Sequence, residues 1–195
     1  MEYDFFALIS RMKYIDRWSL MRSTVRENVQ EHSHMVAALA HALGLIRREA
    51  FGGDCDPAAL AEAALYHDAP EILTGDLPTP VKYHGRELKH AYDEIEGLAI
   101  KKLLGALPEE LRPAYEKLLT APQRTEEYEL VKAADRLSAY IKCVEERRAG
   151  NREFLSAEAS TRARLEEMEL PEVQYFLKHF MGGFEKNLDE LGTLE

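Results

Sequence analysis

His67-Asp68-Ala69-Pro70-Glu71-Ile72-Leu73-Thr74-Gly75-Asp76-Leu77-Pro78-Thr79-Pro80 is the stretch on which the reading of this chain turns. It opens with an imidazole beside a carboxylate and adds two more carboxylates, Glu71 and Asp76. It closes in a loop shaped by glycine and proline. Pro70, Pro78 and Pro80 break regular helix, so the segment from Ala69 to about Tyr83 is expected to be a loop. The His-Asp pair then stands at the end of the preceding helix. A His-Asp dipeptide is common by chance, and its meaning depends on partners elsewhere. His32 and Asp135 are those partners. The four residues can offer two imidazole nitrogens and two carboxylate oxygens to one divalent metal.

Working outward, the chain reads as helix after helix, with no convincing alternating strand, long linker or repeat. A short helix is expected over Asp4 to Met12, followed by a loop holding Arg17-Trp18-Ser19-Leu20. Asn28-Val29-Gln30-Glu31 reads as an N-cap with a capping-box glutamate. The helix it starts should run to about Ala50, where Gly52-Gly53 stops it. Asp56-Pro57 starts the next, with proline at the first helical position, and that helix reaches His67. Further helices are expected over Glu87 to Leu104, Pro108 to Leu119, Glu126 to Arg148, Glu153 to Met168 and Pro171 to Leu191. The fold class is all-α. Residues 1–195 read as one domain, with a metal-binding core over about 28–150 and C-terminal helices continuing to 195.

Helical phase tests whether the four residues face inward. At about 100° per residue, Met35, Val36, Leu39, Leu43 and Ile46 fall within roughly 60° of His32. His32 therefore shares the buried face, while His34 and His41 fall near the opposite one. His67 aligns with Leu60 and Ala64, and Asp68 sits at the edge of that face. Asp135 lies at the edge of the stripe formed by Leu130, Ala134, Leu137, Ile141 and Val144. Asp135-Arg136 reads equally well as a surface pair, and His32 alone as a hydrogen-bonded core histidine. Buried carboxylates need a compensating charge. One metal would supply it and tie together elements far apart in sequence.

Composition narrows the class. The 195 residues are 46% hydrophobic and 31% charged, as in a soluble globular protein. No apolar run is long enough to span a bilayer. Met1-Glu2-Tyr3-Asp4-Phe5-Phe6 does not look like a secretory signal. Cys55 and Cys143 form no CxxC pair, and a reducing cytoplasm fits. The formal charge of −10 argues against a nucleic-acid polymer as partner. It still allows a small anion where a metal and an arginine reverse the potential locally.

The H…HD…D pattern of His32, His67-Asp68 and Asp135 resembles the signature of the HD-domain metal-dependent phosphohydrolases. The likeness extends to Arg17-Trp18, to Asn28-Val29-Gln30-Glu31-His32-Ser33, and to Tyr66-His67-Asp68 with Glu71. It also takes in Thr74-Gly75-Asp76-Leu77-Pro78-Thr79-Pro80-Val81-Lys82-Tyr83 and Lys132-Ala133-Ala134-Asp135. Those segments are similar to the bacterial 5'-deoxynucleotidases of the YfbR type, over almost the full chain. The resemblance implies an HD-domain helical fold and a homodimer. It implies hydrolysis of deoxyribonucleoside 5'-monophosphates to deoxyribonucleoside and phosphate, with selection against ribonucleotides. Cobalt or manganese would be the typical activating metal.

The donor set agrees, because two nitrogens and two hard oxygens suit Mn, Fe, Co, Ni or Zn better than Mg or Ca. By resemblance, Glu71 is the general acid/base, Asp76 contacts substrate and orients the reacting groups, and Thr79 donates a hydrogen bond. Arg17 clamps the phosphate, since a guanidinium can bind two oxygens at once. By the same resemblance, Trp18 closes on the sugar and leaves no room for a 2'-hydroxyl. The bland readings are an exposed loop glutamate, a turn aspartate, a solvated arginine and a packing tryptophan. Two alternatives stand beside the monophosphatase. One is another HD-class phosphohydrolase acting on a triphosphate or phosphodiester. The other is a non-catalytic nucleotide-binding HD protein.

Overall fold

The structure, a computed structural model, describes residues 2–78, 81, 85–121 and 128–192. Among them there are nine α-helices and no β-strand. They are α1 Phe5–Ile9, α2 Val29–Leu45, α3 Pro57–Leu65, α4 Glu71–Thr74, α5 Arg86–Gly105, α6 Arg112–Thr120, α7 Tyr128–Arg148, α8 Leu155–Glu166 and α9 Pro171–His179. The all-α expectation holds, and no described helix is long and apolar enough to cross a membrane.

The elements start where side chains satisfy free N–H groups. Asn28 accepts from the Glu31 backbone N–H at 3.0 Å, and Glu31 accepts from the Asn28 N–H at 3.2 Å, forming the expected capping box at the head of α2. Asp56 caps α3 by accepting from Ala58 and Ala59. The last turn of the α2 rod, Ile46–Ala50, is π-helical, and Gly52 at φ 67° ends it.

Several boundaries differ from the sequence reading, among them the start of α6, expected at Pro108 and found at Arg112. α3 ends at Leu65, so His67 and Asp68 leave it in a turn. Glu71–Thr74 forms a short helix inside the expected loop, because Pro70 at φ −58° is already preset for a first helical turn. The expected long last helix stops at His179 and continues only as a 3₁₀ turn, Met181–Glu185, at Gly182-Gly183.

The core that positions the site is built by α2, α3 and α7. Leu43, Leu130, Leu137 and Ala134 are fully buried. Burying a leucine of this kind contributes about 2 kcal/mol. α2 and α3 approach closely at Gly44, where an added Cβ would lie 3.0 Å from the Pro57 Cα and the Leu60 Cδ1. That contact sets the spacing of the two histidine-bearing elements. A second cluster, Phe5, Ala69, Ile100, Leu103, Leu107 and Leu119, backs the turn after α3 with α1 and α5. Met35 departs from the expected inward face and is 39% exposed.

Candidate active site

Three elements deliver the four nominated ligands to one place. His32, in the first turn of α2, is completely buried. Its Nε2 lies 2.9 Å from Asp135 Oδ1 on α7 and 3.6 Å from Asp68 Oδ2. Its Nδ1 lies 3.2 Å from Ser138 Oγ, one turn further along α7. His67 Nδ1 stands 2.6 Å from the Ala64 carbonyl oxygen, which can only accept, so Nδ1 donates. In the neutral ring this leaves the Nε2 lone pair aimed at the cluster, the orientation a ligating histidine needs. One ligand atom from each of His32, His67 and Asp135 lies within 4.8 Å of the others, and Asp68 Oδ2 lies 3.1 Å from His67 Nε2.

These residues fit a divalent metal. His67 Nε2 is buried, and despite the nearby carboxylate it makes no hydrogen bond among the described residues. Without a metal a proton on Nε2 has to stand between the ring and the two carboxylates, and a divalent cation can take its place. The electrostatics point the same way. Burial opposes charge on His67, yet Asp68 and Asp135 outweigh it and raise its pKa to about 9. Burial also opposes charge on Asp68, but His67, His32 and Arg17 hold it far below the usual carboxylate range. Asp135 is lowered too, against burial, chiefly by its bond to His32. The cluster recruits positive charge. The Asp135 side chain is 43% exposed, so the centre has an open side.

Arg17 and Trp18 sit beside this opening. Arg17 Nη1 is 3.4 Å from Asp68 Oδ2, and Nε is 3.6 Å from Glu27 Oε2. Its side chain is 13% exposed, so it is no freely solvated arginine. Burial disfavours its charge, but Asp68, Asp135, Glu27 and Asp76 raise its pKa further above normal. The Asp76 charge therefore reaches the same guanidinium. Glu71 is buried, at the head of α4, and its backbone N–H donates to the Asp68 carbonyl at 3.0 Å. The bland picture of an exposed loop glutamate does not hold. Trp18 donates its indole N–H to Glu27 Oε2 at 2.8 Å and packs on Phe154, with ring centroids 5.3 Å apart. Thr79 lies outside the described residues.

The loop holding Arg17 and Trp18 is fixed at both sides, a feature sequence reasoning did not find. Its two ends form an antiparallel bridge between Asp16 and Asn28, with the Arg17 N–H on the Glu27 carbonyl at 2.9 Å. Its far side is held by Glu146 of α7, which accepts from the Thr24 N–H at 2.9 Å, the Thr24 hydroxyl at 2.7 Å and the Val25 N–H at 3.3 Å. Lys142 donates to Glu146 at 2.6 Å and to the Val25 carbonyl at 2.5 Å. Asn151 bridges Glu146 and the Arg22 carbonyl. A signal did exist: Asp135, Ser138, Lys142 and Glu146 fall within an arc of about 80° on α7, a polar seam on a helix otherwise apolar on that side.

Comparisons with known proteins agree with this geometry. The family described as "5'-deoxynucleotidase YfbR-like" matches residues 4–184. A 5'-deoxynucleotidase of Erwinia tasmaniensis is 50% identical over 188 residues, 96% of this chain and 95% of that protein. The 5'-deoxynucleotidase YfbR of Shigella boydii is 48% identical over 188 residues, 96% of this chain and 94% of its own. Among solved structures, an HD-domain phosphohydrolase from Listeria innocua superposes with a TM-score of 0.81 at 28% identity, covering 93% of this chain and 88% of that one. A cyanophage S-2L HD phosphohydrolase bound to dA and one catalytic Zn2+ ion matches with a TM-score of 0.61 at 25% identity, over 95% and 96% of the two chains.

Proposed function

Because the chain belongs to the YfbR-like 5'-deoxynucleotidase family, we propose that His32, His67, Asp68 and Asp135 form the metal centre of its phosphatase site. The protein is a 5'-deoxynucleotidase, a phosphoric monoester hydrolase. It hydrolyses deoxyribonucleoside 5'-monophosphates to deoxyribonucleoside and phosphate and selects against ribonucleotides. The observation that carries the site assignment is the buried His67 Nε2, which has no hydrogen bond among the described residues and faces two carboxylates held ionised.

A divalent metal bound by these four side chains would supply Lewis-acid polarisation of the phosphate and acidification of water. We name cobalt or manganese first, with zinc, iron and nickel as further candidates, on the strength of the donor set and the resemblance. The chain's own groups do the rest. Arg17 binds phosphate oxygens through the Nη atoms left over from Asp68. Glu71, buried at the head of α4 beside the His67-Asp68 turn, moves a proton at the scissile ester. Asp76 holds the substrate against Arg17, and Thr79 adds a hydrogen bond. Trp18 closes against C2' of the sugar and excludes a hydroxyl there. We further propose that residues 1–195 act as one unit with its metal core over about 28–150, and that the enzyme is a cytoplasmic homodimer.

The test is phosphate release from dAMP and AMP in parallel, using metal-stripped protein with Co, Mn, Zn or Mg added singly. Metal-dependent release from dAMP with little from AMP is expected. Equal release from both would remove the Trp18 filter and keep the phosphatase. Pyrophosphate release from a triphosphate in preference would favour the other HD-class reading.

A further inference from the structure

Trp18 has an unusual backbone for a bulky residue. Its φ of 59° lies in the left-handed region that side chains other than glycine rarely adopt. A residue persists there only when its surroundings determine it. Here the surroundings are few. The Trp18 carbonyl accepts from the Met21 N–H at 2.8 Å, Phe154 packs on the ring, and Glu27 takes the indole N–H.

These contacts are not equivalent. The Met21 bond fixes the main chain and leaves the ring free to turn. Phe154 is wholly buried and sets a wall, but an aromatic contact allows sliding. Among the contacts of the described residues, only the bond to Glu27 Oε2 is directional at the ring. Glu27 is itself well held. Its carbonyl accepts the Arg17 N–H, its Oε1 lies 3.7 Å from His32 Nδ1, and its side chain is 16% exposed. One residue thus grips the Arg17-Trp18 dipeptide through main chain and side chain together.

Selectivity against one hydroxyl demands such a grip. An apolar pocket that can yield rejects an added hydroxyl poorly. A wall that excludes it has to stay in place. We propose that Glu27 is the positioning residue for deoxy selectivity, its carboxylate pinning the Trp18 indole so that the ring cannot give way to a 2'-hydroxyl. This rests on the reading of Trp18 as the sugar filter, and the test separates the two.

The experiment compares Glu27→Ala, Glu27→Gln, Trp18→Ala and Trp18→Phe with the parent enzyme. It reads the ratio of kcat/KM for dAMP to that for AMP. It also reads emission and acrylamide quenching of the sole tryptophan in metal-free protein. Glu27→Ala lowers the ratio by about tenfold or more, red-shifts the emission and raises quenching. Glu27→Gln, whose amide oxygen still accepts from the indole, retains most of both. An unchanged ratio in Glu27→Ala overturns the proposal. So does a lowered ratio with unchanged emission, since Glu27 would then act other than through Trp18. If Glu27→Ala fails to fold by circular dichroism, Trp18→Phe decides, because it deletes the donor and keeps a ring: a lowered ratio supports the proposal and an unchanged one overturns it. A ratio unchanged in Trp18→Ala fells the filter reading and this inference with it. A ratio that collapses in Trp18→Ala but not in Glu27→Ala fells only the role of Glu27.

Discussion

Two polar clusters lie along one flank of α7, three helical turns apart, and they are built on opposite terms. Around Glu146 every charge is answered from within the chain. Its two oxygens take donors from Thr24, Val25, Lys142 and Asn151, and the Lys142 ammonium has both Glu146 and the Val25 carbonyl. Around Asp135 the accounting does not close. Asp68 and Asp135 bring two negative charges to two imidazoles, with Arg17 against Asp68 alone, and His67 Nε2 has no hydrogen bond among the described residues. A buried polar cluster that satisfies itself is a fastening. One whose two carboxylates converge on a buried imidazole nitrogen calls for a positive charge there, and a cation from outside can supply it. That difference, more than burial or pKa shift, separates structure from chemistry here.

Removing a carboxylate from the open cluster tests this most severely. Asp135→Ala is expected to lower dAMP turnover by about 10³-fold or more, roughly 4 kcal/mol of transition-state stabilisation, through loss of the metal. The parent protein should gain about 2.7 kcal/mol of stability at a metal concentration 100 times Kd, and the variant should gain none. A calorimetric scan with and without metal reads both proteins. A variant that keeps the metal-induced shift would remove Asp135 from the ligand set and break the contrast.

Glu146→Ala should behave in the reverse manner. It strands Lys142 in a buried position and frees Thr24, Val25 and Asn151 from their acceptor. A loss of about 3 kcal/mol is expected from breaking a buried pair on one side, measured by denaturant unfolding of metal-free protein. The metal-induced stabilisation should persist, because no ligand is touched. Loss of metal binding in this variant would show that the two clusters are one cooperative unit.

How much of this was legible beforehand follows from what periodicity can see. Helical phase placed His32 inward and Asp135 at the edge of its face, since both depend on spacing within one helix, and caps located the heads of α2 and α3. Phase is blind to what crosses between elements. Met35 was expected inward, but the loop over it leaves a groove, shared with Val25 and Ile141, and the side chain is 39% exposed. A proline breaks a helix from within but presets a first helical turn, and Pro70 does the second, so Glu71 stands in α4 and not in the expected loop. Glu27 and Glu146 went unnoticed because each has its meaning only in contact with a loop that has no periodicity. The polar seam on α7 is legible in the spacing of Asp135, Ser138, Lys142 and Glu146, beside the apolar stripe.

Acid sharpens the contrast in its mildest form. Burial disfavours charge on Glu146, but Lys142, the Thr24 N–H and Asn151 overcome it and lower its pKa from 4.5 to about 2. A carboxyl depressed on folding contributes stability that is fully present above its unfolded pKa and is lost as pH falls toward its folded one. The window therefore runs from 4.5 down to about 2. By about pH 3, roughly 2 kcal/mol of the Glu146 contribution should be gone. Asp68, Asp135 and Glu27 are also depressed, so the parent protein loses stability in acid for more than one reason. Glu146→Gln isolates the share of this one group, because its amide does not titrate. It begins less stable at neutral pH and should lose about 2 kcal/mol less than the parent between about pH 5 and pH 3. Equal losses in the two proteins would mean that the fastening does not depend on the charge of Glu146, and that its hydrogen bonds alone hold the loop.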